Sequence, residues 1–231
     1  MTTAEKLTQI AENQQRVYDA GFTAGQAQGG ADSYYDTFWD AYQQNGSTTG
    51  VSYMFAGLGW TDETFKPKYS LARAYTANYM FAGTGITDIS HLPRMTVRYG
   101  IGHMFFNSTA IAHVGEIYVD STSLTLTSMF QGATALHTID KLTVQSGNKY
   151  TNAFSNCTSL ANITFDGVIG NAISFANSSL LTDASVQSII DHLEDLTGKT
   201  AQKLTLHATV GGKLTQEQKD AVSAKNWTLA Y

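Results

Sequence analysis

The sequence predicts an α/β solenoid built of short strands and turns with a period of about 24 residues. A helical cap precedes the repeats and an α/β cap follows them. Three observations support this fold: a phenylalanine recurs six times, Gly or Asn stands two positions after each one, and 20 Gly occur against 2 Pro. A unit of this length cannot bury its own apolar face, so successive copies must stack on one another.

The recurring phenylalanines are separated by 26, 24, 25, 24 and 21 residues. They are Phe55, Phe81, Phe105, Phe130, Phe154 and Phe175. The residues two positions later are Gly57, Gly83, Asn107, Gly132, Asn156 and Asn177, and both residue types tolerate positive φ. Each copy is therefore predicted to turn sharply there. Phe81, Phe105, Phe130 and Phe154 are predicted to stack in one interior column.

Apolar residues follow each phenylalanine after five or six positions and then recur in steps of three. Ile111, Val114 and Ile117 form one such set. A step of three also fits one face of a helix. Thr, β-branched residues and Gly lie between these positions, so short strands broken by turns are favoured. In the last copy either Leu180 or Leu181 can take the apolar position.

Three regions follow from this pattern: residues 1–50 as an N-terminal helical segment and cap, 51–181 as the repeats, and 182–231 as an α/β C-terminal cap. Residues 4–16 carry an amphipathic helical pattern, and the aromatic run 34–42 is predicted to be a helix that closes the first coil.

The C-terminal cap begins with Thr182, a residue type that accepts hydrogen bonds from the first turn of a helix. The following apolar stripe has helical spacing and consists of Val186, Ile189, Ile190 and Leu193. Residues 203–207 alternate as in a strand, residues 215–218 fit a capping box, and residues 227–229 are predicted to form a final strand.

The composition argues against several classes of partner. Charged residues make up 14% of the chain, and 14 Lys and Arg against 19 Asp and Glu leave a net charge of −5. Without a basic excess, neither nucleic acid nor an anionic membrane surface is an expected partner. No stretch approaches 18 apolar residues, so no membrane insertion is expected. The N-terminus also lacks the pattern of a secretion signal.

No constellation for catalysis or metal binding emerges, so the chain is predicted not to be an enzyme and to need no cofactor. The carboxylates do not recur in register with the phenylalanines, and Cys157 occupies a small position that favours a packed thiol. His113 and His137 follow their phenylalanines by eight and seven residues, which predicts that they lie on one strand face of adjacent copies. Exposed polar positions are favoured there over a two-histidine metal site.

Residues 154–163 resemble the repeat of the BspA-like leucine-rich repeat proteins of bacterial surfaces, a pattern of the kind Phe-x-x-Cys-x-x-Leu-x-x-Ile. Residues 130–139 and 105–114 are similar at the Phe and the two aliphatic positions. Residues 38–46, 54–57 and 225–229 resemble leucine-rich repeat proteins of phages and prophages of gut Firmicutes. The resemblance implies a right-handed leucine-rich repeat solenoid in a phage-associated binding protein, located on the virion or released by lysis.

Two functions remain open. The first is a non-enzymatic recognition module that binds a glycan or protein on a bacterial surface and is displayed in several copies on a particle. Its candidate surface is an exposed strand face with small polar side chains: Thr87, Asp88, His113, His137, Thr138 and Asn162. The alternative is a purely structural virion decoration or spacer protein without a specific ligand.

Overall fold

The computed structural model describes residues 55–56, 60–63, 65, 71–72, 74 and 76–231. Within these residues the chain is a mixed α/β protein with two parallel sheets, few helices and no closed barrel. The predicted helices at 4–16 and 34–42, and with them the N-terminal cap, lie outside the described residues.

The strands of the larger sheet are parallel neighbours in chain order. They are β1 (Met95–Val97), β2 (His113–Val119), β3 (Thr138–Val144) and β4 (Asn162–Gly167). The smaller sheet is also parallel and consists of β5 (Ile173–Phe175), β6 (Gln202–Leu206) and β7 (Trp227–Ala230). The helices are α1 (Asp183–Asp191), α2 (Ala208–Gly211) and α3 (Gln216–Ala224).

A column of phenylalanine rings runs through the core, as the spacing predicts. The rings of Phe105 and Phe130 are 5.1 Å apart and inclined by 4°. Phe81 lies 5.3 Å from Phe105, and Phe154 lies 5.6 Å from Phe130. Phe175 extends the column at 4.6 Å from Phe154. The predicted interior column is confirmed, and its rings belong to one apolar core that continues into the smaller sheet.

The chain turns on both sides of each stacked phenylalanine. Two positions after the ring, Gly83 and Gly132 have φ of +69° and +78°, and Asn107 and Asn156 have positive φ as well, so the predicted turn is confirmed in these four copies. Asn177 of the last copy does not have positive φ, and Gly57 lies outside the described residues. Two positions before the ring, the chain also has positive φ, which the sequence does not predict. These residues are Tyr79, His103, Ser128 and Asn152. Because Gly and Asn recur only after the ring, only that turn is visible in the sequence.

The third position after the phenylalanine holds a small buried side chain. Ser108 donates its hydroxyl hydrogen bond to the carbonyl of Phe81, and Cys157 Sγ lies 3.1 Å from the carbonyl oxygen of Phe130. Each residue thus links one copy to the preceding one. Burial raises the pKa of the Cys157 thiol to about 12, so this side chain is a packed thiol, as the sequence indicates.

The C-terminal elements agree with the sequence prediction. The Thr182 side chain accepts a hydrogen bond from the Ser185 amide at the start of α1, and the predicted capping box opens α3. The apolar stripe of α1 is buried. In the last copy Leu181 is buried, whereas Leu180 is 55% exposed. The predicted strands are β6 and β7, each shifted or extended by one residue.

Helix α1 takes the place of a further strand beside β4. Ser185 Oγ accepts a hydrogen bond of 2.9 Å from the amide of Ile163, and Ser188 Oγ accepts one of 2.9 Å from the amide of Phe165. Both amides lie on the edge of the larger sheet that no strand covers. Side chains of a helix therefore satisfy the edge of this sheet.

Candidate functional site

A row of polar side chains crosses the outer surface at the start of the larger sheet. The paired positions are Asp88, His113, Thr138 and Asn162, one from each of four neighbouring copies. The residue after each is buried, namely Ile89, Val114, Ile139 and Ile163. Because side chains alternate across a strand, the four polar side chains point away from the core. We call these four residues the outward row.

His113 lies between carboxylates of two different copies. Its Nε2 atom is 2.7 Å from Asp140 Oδ1, and its Nδ1 atom is 4.0 Å from Asp88 Oδ2. Burial alone raises the pKa of Asp88, but hydrogen bonds from Ser90 and the nearby charge of His113 lower it below its usual value. The acidic end of the row thus stays ionised near neutral pH and interacts with the histidine.

The other end of the row is a chain of neutral hydrogen-bonding groups. Asn162 Nδ2 lies 3.5 Å from Thr138 Oγ1, and Thr182 Oγ1 lies 3.5 Å from Asn162 Oδ1. His137 Nδ1 is 3.1 Å from the same Thr138 hydroxyl. Two of these contacts are 3.5 Å long and none is fully buried, so they are weaker than buried hydrogen bonds of ideal length and a bound polar group can compete with them.

The structure corrects the predicted position of His137. His113 is paired with Thr138 and not with His137, whose amide donates to the carbonyl of Ala112. The spacing of eight and seven residues places the two histidines one register position apart, so they do not share a strand face. His137 is nevertheless exposed and lies beside the row.

Thr87 also stands one position before the row. Its amide and hydroxyl both donate to the carboxylate of Asp62, in the preceding copy. Burial raises the pKa of Asp62, but these hydrogen bonds outweigh that effect and lower it. Of the six predicted residues, four therefore form the outward row, and Thr87 and His137 flank it.

A second set of paired polar side chains on this side of the sheet, of which Thr143 is buried, was not predicted. The paired residues are Thr96, Tyr118, Thr143 and Asp166. The guanidinium of Arg94 lies 5.1 Å from the centre of the Tyr118 ring, and Thr143 Oγ1 donates to Asp166 Oδ2 at 3.2 Å. These residues lie toward the ends of the strands. The only sequence signal is their place in the strand alternation, which becomes readable once the register is known.

An ion pair stands between the two sets on the same surface. Lys141 Nζ lies 3.5 Å from Glu116 Oε1, and both side chains are about half exposed. Exposed pairs of this kind contribute at most about 1 kcal/mol to stability. The outer face thus presents mostly neutral polar groups with a few compensated charges.

Within the part of the chain that the structure describes, no three His, Cys, Asp or Glu side chains form a metal-binding group. No helix among these residues has the length and apolar content needed to cross a bilayer. The architecture and surface define a mixed α/β protein with parallel sheets and a polar outer face. No family model matches the chain, and neither a curated protein nor a solved structure matches it significantly.

Proposed function

We propose that the chain is a non-enzymatic recognition module that binds a glycan or a protein loop on a bacterial surface through the outward row. The observation that carries the proposal is the register pairing of the four polar side chains on neighbouring copies. Neighbouring strands place such side chains roughly 5 Å apart. One extended ligand can therefore contact several of them at once.

The proposal includes the finer identity that the sequence suggests. The repeat is that of a BspA-like leucine-rich repeat solenoid in a phage-associated protein, located on a virion or outside the cell after lysis. The phenylalanine column and the hydrogen bonds from the position three residues after the ring support a repeated, stacked unit.

The chemistry of the surface favours hydrogen bonding to neutral groups. Thr138, Asn162 and His137 offer both donors and acceptors and carry no fixed negative charge. Tyr118 adds an outward aromatic side chain at the far end of its strand. Each new hydrogen bond adds only about 0.5–1.5 kcal/mol, so a single copy binds weakly. Display in several copies on a particle raises the overall affinity by avidity.

A structural decoration or spacer protein is the second candidate. The observation that favours it is the mutual satisfaction of the row, in which His113 contacts Asp140 and Asn162 contacts Thr138. Groups that already bind one another gain less from a ligand. Cell binding by a clustered form distinguishes the two candidates.

The decisive experiment compares the single chain with a clustered form on bacterial cells and on a glycan array. We expect weak binding of the single chain and strong binding of the clustered form. The double variant His137→Ala with Asn162→Ala should lose most of the clustered binding. The matched control changes Glu217 and Ser223, exposed residues of α3, to Ala and should bind as the parent does.

Unchanged binding of the clustered double variant would exclude the neutral end of the outward row, together with the flanking His137, as the recognition surface. Absence of clustered binding to any cell or glycan would favour the decoration protein. Turnover of a glycan by the pure chain would contradict the non-enzymatic assignment.

A further inference from the structure

A cleft with a volume of about 390 Å³ opens at the boundary between the repeated copies and the smaller sheet. This volume lies in the range of about 300–1,000 Å³ that is usual for sites of small ligands. Its walls come from residues 149–152, residues 171–174 and three residues of β6, which are Gln202, Lys203 and Thr205. The cleft shares no residue with the outward row.

The cleft lies where the hydrogen-bond ladder between successive copies is interrupted. In the preceding copy the amide of Leu126 donates to the carbonyl of Lys149 at 2.7 Å, and that of Ser128 donates to the carbonyl of Thr151 at 2.8 Å. The earlier pair Ala77 and Tyr79 donates to its next copy in the same way. Amides at these positions therefore point toward the following copy.

Tyr150 and Asn152 hold the equivalent positions one copy later. Asn152 has the same φ of +53° as Ser128, so the backbone is oriented alike. Neither amide has an acceptor among the described residues. The hydrogen-bond ladder therefore stops before β5, which pairs with β6 on its other edge. By this equivalence two backbone donors point across the cleft, where an oxygen atom of a ligand can accept from them.

The cleft carries positive charge although the whole chain has a net charge of −5. Its charged lining residues are Lys149 and Lys203, with no carboxylate among the lining side chains. In contrast to Lys141 and Lys199, neither lysine forms an ion pair within the part of the chain that the structure describes. Two lysines and two amide donors together favour an anionic group.

Uncharged polar groups line the rest of the cleft. Ser174 and Thr205 are paired in register, so their outward side chains stand about one strand spacing apart. Thr151 and Asn152 also line the cleft. Such groups match the hydroxyls of a sugar. We propose that this cleft binds a saccharide that carries a carboxylate or a phosphate group.

The test is isothermal titration of the full chain at low salt with four saccharide probes and with inorganic phosphate. Trigalacturonic acid supplies the carboxylate, glucose 6-phosphate supplies the phosphate, and galactotriose and glucose are their neutral counterparts. We expect at least one acidic probe to bind about tenfold or more tightly than its neutral counterpart. Inorganic phosphate serves as the probe for an anion without a sugar and should bind more weakly than the saccharide.

Two variants of the cleft separate charge from shape. Lys149→Gln combined with Lys203→Gln should weaken acidic binding by about tenfold, whereas Lys213→Gln with Lys219→Gln, outside the cleft, should change it less than about twofold. Ser174→Trp fills the cleft without removing a charge and should abolish binding. Melting temperatures of all variants confirm that they are folded.

Equal binding of acidic and neutral probes, or equal losses in the cleft and control pairs, would overturn the proposal. Inorganic phosphate that binds as tightly as glucose 6-phosphate would show an anion site without sugar recognition and would also overturn it. The variant His137→Ala with Asn162→Ala should leave this titration unchanged. The titration therefore tests the cleft proposal independently of the proposal that the outward row is a recognition surface.

Discussion

Gly83 and Gly132 both have a positive φ that other residues adopt only with strain. Gly132 is also crowded by a neighbouring side chain, whereas Gly83 is not. The φ values are +69° for Gly83 and +78° for Gly132. A Cβ atom at Gly132 would lie 2.2 Å from Asn107 Oδ1, whereas one at Gly83 would meet no atom within 4 Å. Gly83→Ala should therefore lower the free energy of unfolding by about 1 kcal/mol through strain, and Gly132→Ala by about 2–3 kcal/mol, measured by urea unfolding.

Gly83→Asn is the matched control for the turn. Asn107 and Asn156 adopt φ of +53° and +58° at the equivalent positions of other copies. Asn visits this region more readily than Ala, so Gly83→Asn should cost less than Gly83→Ala. Equal losses for Gly83→Ala and Gly132→Ala would contradict the contact with Asn107.

At the scale of the element, the edge of the larger sheet depends on two serines of α1. Replacing both Ser185 and Ser188 by Ala leaves the amides of Ile163 and Phe165 without their acceptors. Each buried unpaired group costs about 1–3 kcal/mol, so we expect a clear loss of stability in thermal unfolding. Ala also favours a helix, so the loss is not due to a weaker α1.

The control for this pair is Ser223→Ala, an exposed serine of α3 that should change stability little. An open strand edge also promotes association between molecules, so size-exclusion chromatography of the double variant should show larger species. A double variant that is as stable and as monodisperse as the parent would show that the serines do not protect this edge.

The repeated elements were readable from the sequence because their signals are local. The Phe column, the turn after each ring and the cap at Thr182 depend on residue type and spacing alone. The register of the strands is not local. Strand pairing sets His113 opposite Thr138, so His137 lies one residue away from the outward row. The same pairing of β2 with β3 brings His113 into contact with Asp140. Similarly, no local pattern distinguishes Ser185 as a partner of the sheet.

The whole described molecule shares one apolar core, which extends from Phe55 through the phenylalanine column to Trp227. In stacked repeats, contacts between neighbours decide whether the copies unfold together or one after another. Here Phe154 contacts Phe165 of β4 and Phe175 of β5, and so joins the larger sheet to the smaller one. We therefore expect one cooperative transition for these residues.

Cys157, the single cysteine of the chain, allows a direct test of this cooperativity. Its thiol is fully buried and its pKa is raised to about 12 by burial, so it reacts with a thiol reagent only after the surrounding copies open. In urea, the midpoints from Cys157 labelling, circular dichroism and tryptophan fluorescence should coincide.

Phe130→Ala should lower the free energy of unfolding by about 3–5 kcal/mol and shift all three urea midpoints down together. Phe106→Ala, which removes a partly exposed ring beside the column, should lower the free energy of unfolding by less. Labelling of Cys157 at a lower urea concentration than the loss of circular dichroism would show instead that the copies around it open as a separate unit.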